Sequence, residues 1–189
     1  MGIGVVELRQ YTLHPGARDG LIELFDRELV ETQEACGMTV IGQFRDLDRP
    51  DRFVWLRGFA DMDARRRALE AFYGGPTWAE HGPAANVTMI DFDDVLLLAP
   101  LVLPQLTGTR PTDAEPTRLA ITVHDLHHSD QVAPGAIGLL ETLDAVNTYP
   151  GLPIRDGDPV VVRIGHTPPA DVPALQQIRA ESTGRSWLR

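Results

Sequence analysis

The sequence of 189 residues contains no lysine; all 17 of its basic residues are arginine. It has one cysteine, Cys36, so no intrachain disulfide can form and no zinc–thiolate set can be assembled. It has no run of about 18 apolar residues of the kind a membrane-spanning helix needs. Met1 to Leu8 lacks the basic start and apolar core of a secretory signal, and the expected location is the cytoplasm. An excess of positive charge is missing too: 27 acids against 17 arginines give a formal net charge of −10. A domain of that sign gains nothing from counterion release on a polyanion, so no nucleic acid and no anionic membrane surface is expected as a partner. Gly74-Gly75-Pro76 has neither the lysine nor the strand-to-helix setting of a phosphate loop. No serine lies in a nucleophile elbow, so serine hydrolysis is set aside with nucleotide chemistry. The exclusive use of arginine reads as the base composition of a GC-rich bacterial genome. That bias also enriches Ala, Gly, Pro and Asp and lowers their weight as signals.

The residues present describe a globular chain, 43% apolar and 23% charged. In Val5–Thr12, Val6 and Leu8 alternate with Glu7, Arg9 and Tyr11, the period of a strand. From Arg18 to Cys36 the spacing of Leu21, Phe25 and Leu29 is helical, and Gly37 suits the C-terminal cap. Met38–Leu47 and Arg52–Phe59 read as strands joined by a tight connection, hence an antiparallel hairpin. A second helix follows, capped by Asp61 or Asp63 and ended by Gly74-Gly75-Pro76, with Ala64, Ala68, Leu69 and Phe72 on its apolar face. A short helical segment at Trp78–His81 and a strand at Val87–Leu98 complete the order β-α-β-β-α-β. That is the ferredoxin-like unit of an α+β protein.

The spacing divides the chain into a first unit over residues 1–100, a proline-rich linker over 101–116 and a weakened second copy over 117–189. In the copy, Leu119–Leu126 reads as the first strand, Ala136–Asn147 as a helix and Thr148–Asp156 as an irregular strand. Asp158–Gly165 reads as the third strand and Asp171–Ser182 as a helix, with Gly184–Trp187 echoing Gly75–Trp78. On this reading the copy is truncated and lacks its fourth strand.

Two stretches of the first unit carry a family likeness. Glu7-Leu8-Arg9-Gln10-Tyr11-Thr12-Leu13-His14-Pro15-Gly16 resembles the opening motif of the NIPSNAP family. Ala71 to His81, with Ala85-Asn86 and Asp91 to Pro100, resembles its closing signature. The likeness covers residues 4–100. It implies the dimeric α+β barrel, in which two ferredoxin-like units pair through their sheets with helices outside. Relatives of that architecture include cofactor-free monooxygenases, polyketide cyclases, lactone isomerases and haem-binding peroxidases and dehydratases. A fused second copy then implies a pseudo-dimer within one chain, or a homodimer.

Several residues carry chemistry. Glu7, Arg9 and Tyr11 share one face of the first strand. Arg9 suits a carboxylate or enolate oxygen and Tyr11 a donated proton; the same residues also suit a cross-strand ion pair. His81 lies three residues after Trp78 on one helical face and is the natural acid/base near neutrality, with Asn86 close behind in the chain. His81 and Asn86 equally suit backbone caps, and Trp78 suits packing. Asp91 shares a strand face with Met89 and suits a base or a solvated edge. His124-Asp125-Leu126-His127-His128 reads as a polar loop rather than a metal site, and His14 as a turn residue. Arg65-Arg66-Arg67 reads as a helix surface, and Cys36 as a small buried residue.

The expected catalytic residues are therefore His81, Tyr11 and Arg9, with Trp55, Arg57, Trp78, Asn86 and Asp91 binding substrate, and no metal or cofactor. The expected function is cofactor-independent acid/base chemistry (isomerisation, cyclisation or oxygenation) on a carbonyl or aromatic metabolite, as in bacterial secondary metabolism. The alternatives are a non-catalytic small-molecule-binding or protein-interaction domain, and a haem-binding member of the superfamily.

Overall fold

Alternation along the strands decides where the two cores lie. The computed structural model describes residues 2–189. In β1 (Val5–Leu13), Val6 and Leu8 point one way, and Glu7, Arg9 and Tyr11 point the other. The first face joins Val54 and Leu56 of β3 (Arg52–Phe59), and Leu96 and Leu98 of β4 (Met89–Val102), in a dry aliphatic core. Each such side chain removed from water contributes about 1.5–3 kcal/mol. The second face is covered by helices.

Those helices begin as one run. α1 (Arg18–Leu24) passes through a π-helical turn (Phe25–Leu29) into α2 (Val30–Ala35). Leu21, Phe25, Leu29 and Gln33 fall four apart and are all buried, with Ile22 and Val30 beside them. α3 (Met62–Tyr73) is capped by Asp61, whose carboxylate accepts from Ala64 N at 2.7 Å, a contact of about 1 kcal/mol. Asp63 instead pairs with Arg66 and Arg67 on the surface. α4 (Pro76–Asn86) starts with proline at its head and is longer than the segment 78–81 expected. It runs on through Gly82-Pro83. A Cβ on Gly82 would meet the Trp78 indole at 2.7 Å, so the glycine lets that ring lie on the helix.

The second half differs from the sequence expectation. β5 (Arg118–Asp125) and β7 (Val160–Gly165) lie where strands were expected. The helix expected at 136–147 is instead β6 (Gly138–Thr142), and the helix expected at 171–182 is β8 (Gln176–Ser182). The strand expected at 148–156 is absent: residues 143–159 form no helix or strand. The only helical pieces there are a 3-10 turn (Leu126–His128) and α5 (Ser129–Val132). The fourth strand thought missing is present as β8. The spacing of Val172, Leu175 and Ile178 imitates a helix, but Leu175 is 69% exposed, while Ile178, Ala180 and Ser182 alternate into the interior. Helices at those places would leave the edges of β4, β7, β2 and β5 without partners.

All eight strands close one antiparallel barrel in the order β1-β3-β2-β8-β5-β7-β6-β4. The first half contributes β4-β1-β3-β2 and the second β8-β5-β7-β6, the same internal order. The second half is thus a ferredoxin-like sheet stripped of its long helices. The halves join at two seams, β2·β8 and β4·β6.

Candidate functional site

The outward face of the first sheet carries a buried charged network. Glu7, Arg9, Arg57 and Arg65 each have no exposed surface, and Tyr11 and Trp55 are nearly as buried. Strand register brings four of them together: Glu7 lies opposite Arg57, and Arg9 opposite Trp55. Arg65 reaches in from α3. Glu7 Oε2 accepts from Arg9 Nη1 at 2.8 Å and from Arg57 Nε at 2.7 Å, and Glu7 Oε1 accepts from Arg65 Nε at 2.6 Å. Burial alone would raise the Glu7 pKa, but Arg57, Arg9 and Arg65 outweigh it and hold the carboxyl well below the usual carboxylate range.

Three guanidiniums meet one carboxylate, and among the described residues Glu7 is their only ion-pair partner. The formal balance inside the network is two positive charges in excess. Arg9, Arg57 and Arg65 each leave Nη2 without a hydrogen-bond partner, and the Trp55 indole N–H is unpaired as well. An unpaired buried donor costs about 1–3 kcal/mol, so these donors are suited to an acceptor that carries negative charge.

Aromatic rings wall the network. Trp55 meets Phe25 edge-on at 4.8 Å and Tyr11 at 6.0 Å. The Arg57 guanidinium lies 5.2 Å from the Trp55 ring and donates to the Tyr73 hydroxyl at 3.4 Å. Arg9 Nε donates to the Tyr11 hydroxyl at 3.0 Å, which leaves the Tyr11 proton free to be given elsewhere. Burial pushes the Tyr11 pKa up, with Arg9 opposing, so the phenol keeps its proton at neutral pH.

Of the residues singled out in the sequence, Arg9, Tyr11, Trp55 and Arg57 therefore converge. Trp78 packs on Tyr73 at 4.8 Å, behind the network. His81 lies on the surface side of α4, with Nε2 3.5 Å from Glu28 and 4.0 Å from Glu80. Asn86 and Asp91 are exposed, and Asp91 accepts from the Asp93 backbone N–H. His124 is buried with Nδ1 at the Pro173 carbonyl, while His127 turns to Asp125, so the histidine cluster diverges.

Sequence reasoning placed Arg65 on a helix surface with Arg66 and Arg67. Only the latter two are there. The signal was present: Arg65, Ala68, Leu69 and Phe72 form one i, i+3, i+4, i+7 stripe, and the arginine belongs to its buried face. Tyr73, Gln33 and Asn147 also contact the network; Tyr73 lies within the Ala71–His81 stretch and Gln33 continues the Leu21, Phe25, Leu29 spacing, whereas no motif or spacing pointed to Asn147.

The second half keeps the frame of this site without its charges. Thr122 lies opposite Arg163 as Glu7 lies opposite Arg57, and His124 replaces Arg9 in the next row. Arg163 donates to the carbonyls of Val132, Thr167 and Pro134, at 2.9, 2.6 and 3.2 Å. Its guanidinium is thus used up in holding loops.

Two ferredoxin-like sheets closing one barrel, with helices outside the first, define an α+β barrel of the dimeric superfamily contained in a single chain. Residues 6–102, just over half of the chain, match the NIPSNAP family model, and the chain belongs to the NIPSNAP family. A NIPSNAP family protein of unknown function from Agrobacterium tumefaciens is 19% identical over 52% of this chain and 88% of its own, with a TM-score of 0.48. An uncharacterized NIPSNAP-like domain protein from Burkholderia xenovorans is 25% identical over 51% of this chain and 84% of its own, with a TM-score of 0.47. The whole barrel is similar to a protein described as a "putative monooxygenase" from Lactobacillus acidophilus NCFM, at 12% identity over 98% of both chains with a TM-score of 0.55, a likeness of fold alone. Comparison with curated proteins gave no match. Among the described residues no helix is long and apolar enough to cross a membrane.

Proposed function

We propose that the first half binds a small anionic metabolite, one bearing a carboxylate or enolate beside a carbonyl or aromatic group, and acts on it by cofactor-independent proton transfer. The observation that carries this reading is the charge imbalance of the buried network: three guanidiniums, one carboxylate and four unpaired donors walled by aromatic rings. Charge-assisted bonds to a ligand oxygen would satisfy those donors. Tyr11 is the proton donor of the site, oriented by Arg9. His81 has no part in this scheme, because its partners are Glu28 and Glu80. The test is mass spectrometry of small molecules that co-purify with the protein, followed by turnover of the molecule found. An organic acid consumed by wild type and bound but not consumed by Tyr11→Phe agrees with the proposal. A neutral or cationic ligand contradicts it.

A second reading, a non-catalytic binding domain, is favoured by the close packing of Trp55 against Phe25 and Tyr11. It predicts an organic acid that Tyr11→Phe binds as wild type does and that neither protein converts.

A further inference from the structure

β6 ends at Thr142 and β7 begins at Val160, and the segment between them crosses to the other half of the molecule. Connections without regular structure that exceed about 12–15 residues are uncommon in compact domains and often serve as lids. This one reaches the arginine network directly. Asn147 Oδ1 accepts from Arg65 Nη1 at 3.0 Å. Thr148 donates to the Met62 carbonyl at the head of α3, at 3.2 Å. The Tyr149 ring stacks on Tyr73 with centroids 6.0 Å apart, and the Tyr73 hydroxyl accepts from Arg57. Leu152 inserts into the core under the helices.

The strap is fixed at its two ends and open between them. Val146, next to Asn147, is 85% exposed. Both limbs are pinned to β4, where Leu143 N and Arg155 N donate to the Leu97 and Val95 carbonyls at 2.9 Å, and a cleft of about 300 Å³ lined by Leu96, Leu97, Ala145 and Ile154 lies beside these two anchors. Pro150, Pro153 and Gly157, the last at φ 157°, punctuate the far limb.

We infer that residues 143–157 are a lid on the anion site, and that the Asn147 carboxamide oxygen stands in for the ligand's anionic oxygen on Arg65. The inference rests on the anion-binding reading above and adds a ligand-displaced residue supplied by the second half. The chemistry fits: an amide oxygen is a neutral acceptor, which a carboxylate outcompetes for a buried guanidinium. Asn147 is held ready by its own turn, with Nδ2 donating to the Leu152 carbonyl at 2.9 Å and Oδ1 accepting from Tyr149 N at 3.1 Å.

The experiment uses the full chain as wild type, Asn147→Ala and Asn147→Asp, with benzoate as probe and benzyl alcohol as its uncharged counterpart. Melting temperature and hydrogen exchange of the strap are the readouts. Asn147→Ala removes the competitor, so its Kd for benzoate falls about tenfold, as expected for one lost hydrogen bond to a charged group. Asn147→Asp supplies a tethered anion: it melts higher than wild type without benzoate and no longer responds to it. In wild type, benzoate speeds exchange of the Tyr149 and Leu152 amides. Benzoate binding that is equal in all three proteins, with exchange of the strap unchanged, overturns the lid and leaves the anion site standing. If no protein responds to benzoate and Asn147→Asp melts as wild type or lower, both the lid and the anion site fail.

Discussion

Removing the negative charge of Glu7 leaves Arg9, Arg57 and Arg65 facing one another without a counter-ion. Breaking a buried ion pair from one side costs about 3–5 kcal/mol, so Glu7→Gln should lose at least that much in a urea melt at pH 7. The same residue sets an acid limit. Its folded pKa lies below the unfolded value of 4.5, so its contribution is complete above about pH 4.5 and is lost as the pH falls below that point. Asp26, in the π-helical turn, has the opposite sign. Burial pushes its pKa up to about 6 against Arg185 and Arg45, from 3.8. The folded state therefore takes up a proton between those values, and stability rises as the pH drops from above 6 toward 4. Denaturant melts from pH 8 to 3 should show a rise and then a fall. Asp26→Asn should flatten the rise and leave the acid fall in place. A fall that starts above pH 6 in wild type contradicts the Asp26 assignment, and an acid fall below pH 4.5 that is undiminished in Glu7→Gln contradicts the Glu7 assignment.

At the scale of elements, the first half was legible because its periods are clean and its turns short. Val6 and Leu8 against Glu7, Arg9 and Tyr11 gave a strand with one charged face, and that face is where the network lies. Its extra arginine was hidden by neighbours of like charge, since Arg65-Arg66-Arg67 reads as surface unless the apolar stripe is followed through it. The second half misled at two strands: β6 is only five residues long and buries adjacent leucines on opposite faces, and the alternation of Ile178, Ala180 and Ser182 in β8 is masked by the helical spacing of Val172, Leu175 and Ile178. Leu139 packs outward on Val132 and Val161 while Leu140 enters the barrel, so two adjacent leucines serve two cores. What fixes β6 and β8 is the unpaired edges of the strands beside them, which local spacing does not contain. A charge placed at Ile178, 1% exposed inside the barrel, should show this. Ile178→Asp is expected to cost more than about 3 kcal/mol and to lower the thermal midpoint sharply. A helix at that position with Ile178 toward solvent would tolerate it.

For the whole molecule, one copy of the repeat carries the buried charged network and the other keeps only its frame. The same strand order recurs, but Glu7, Arg9 and Arg57 are replaced by Thr122, His124 and a fully engaged Arg163. The second half closes the barrel and covers the aliphatic faces of β1, β3 and β4. A truncated chain ending at residue 103 would expose those faces and both sheet edges. In light scattering after size exclusion it should run as a dimer or aggregate, whereas the full chain, with every edge inside the barrel paired, should run as a monomer of 20.8 kDa. One site in a two-part barrel gives the most direct test of the account, a calorimetric titration of the full chain with benzoate. One molecule bound per chain, with binding lost in a folded Arg57→Met variant, is the predicted result. No binding, two molecules per chain, or binding undiminished in that variant would contradict it.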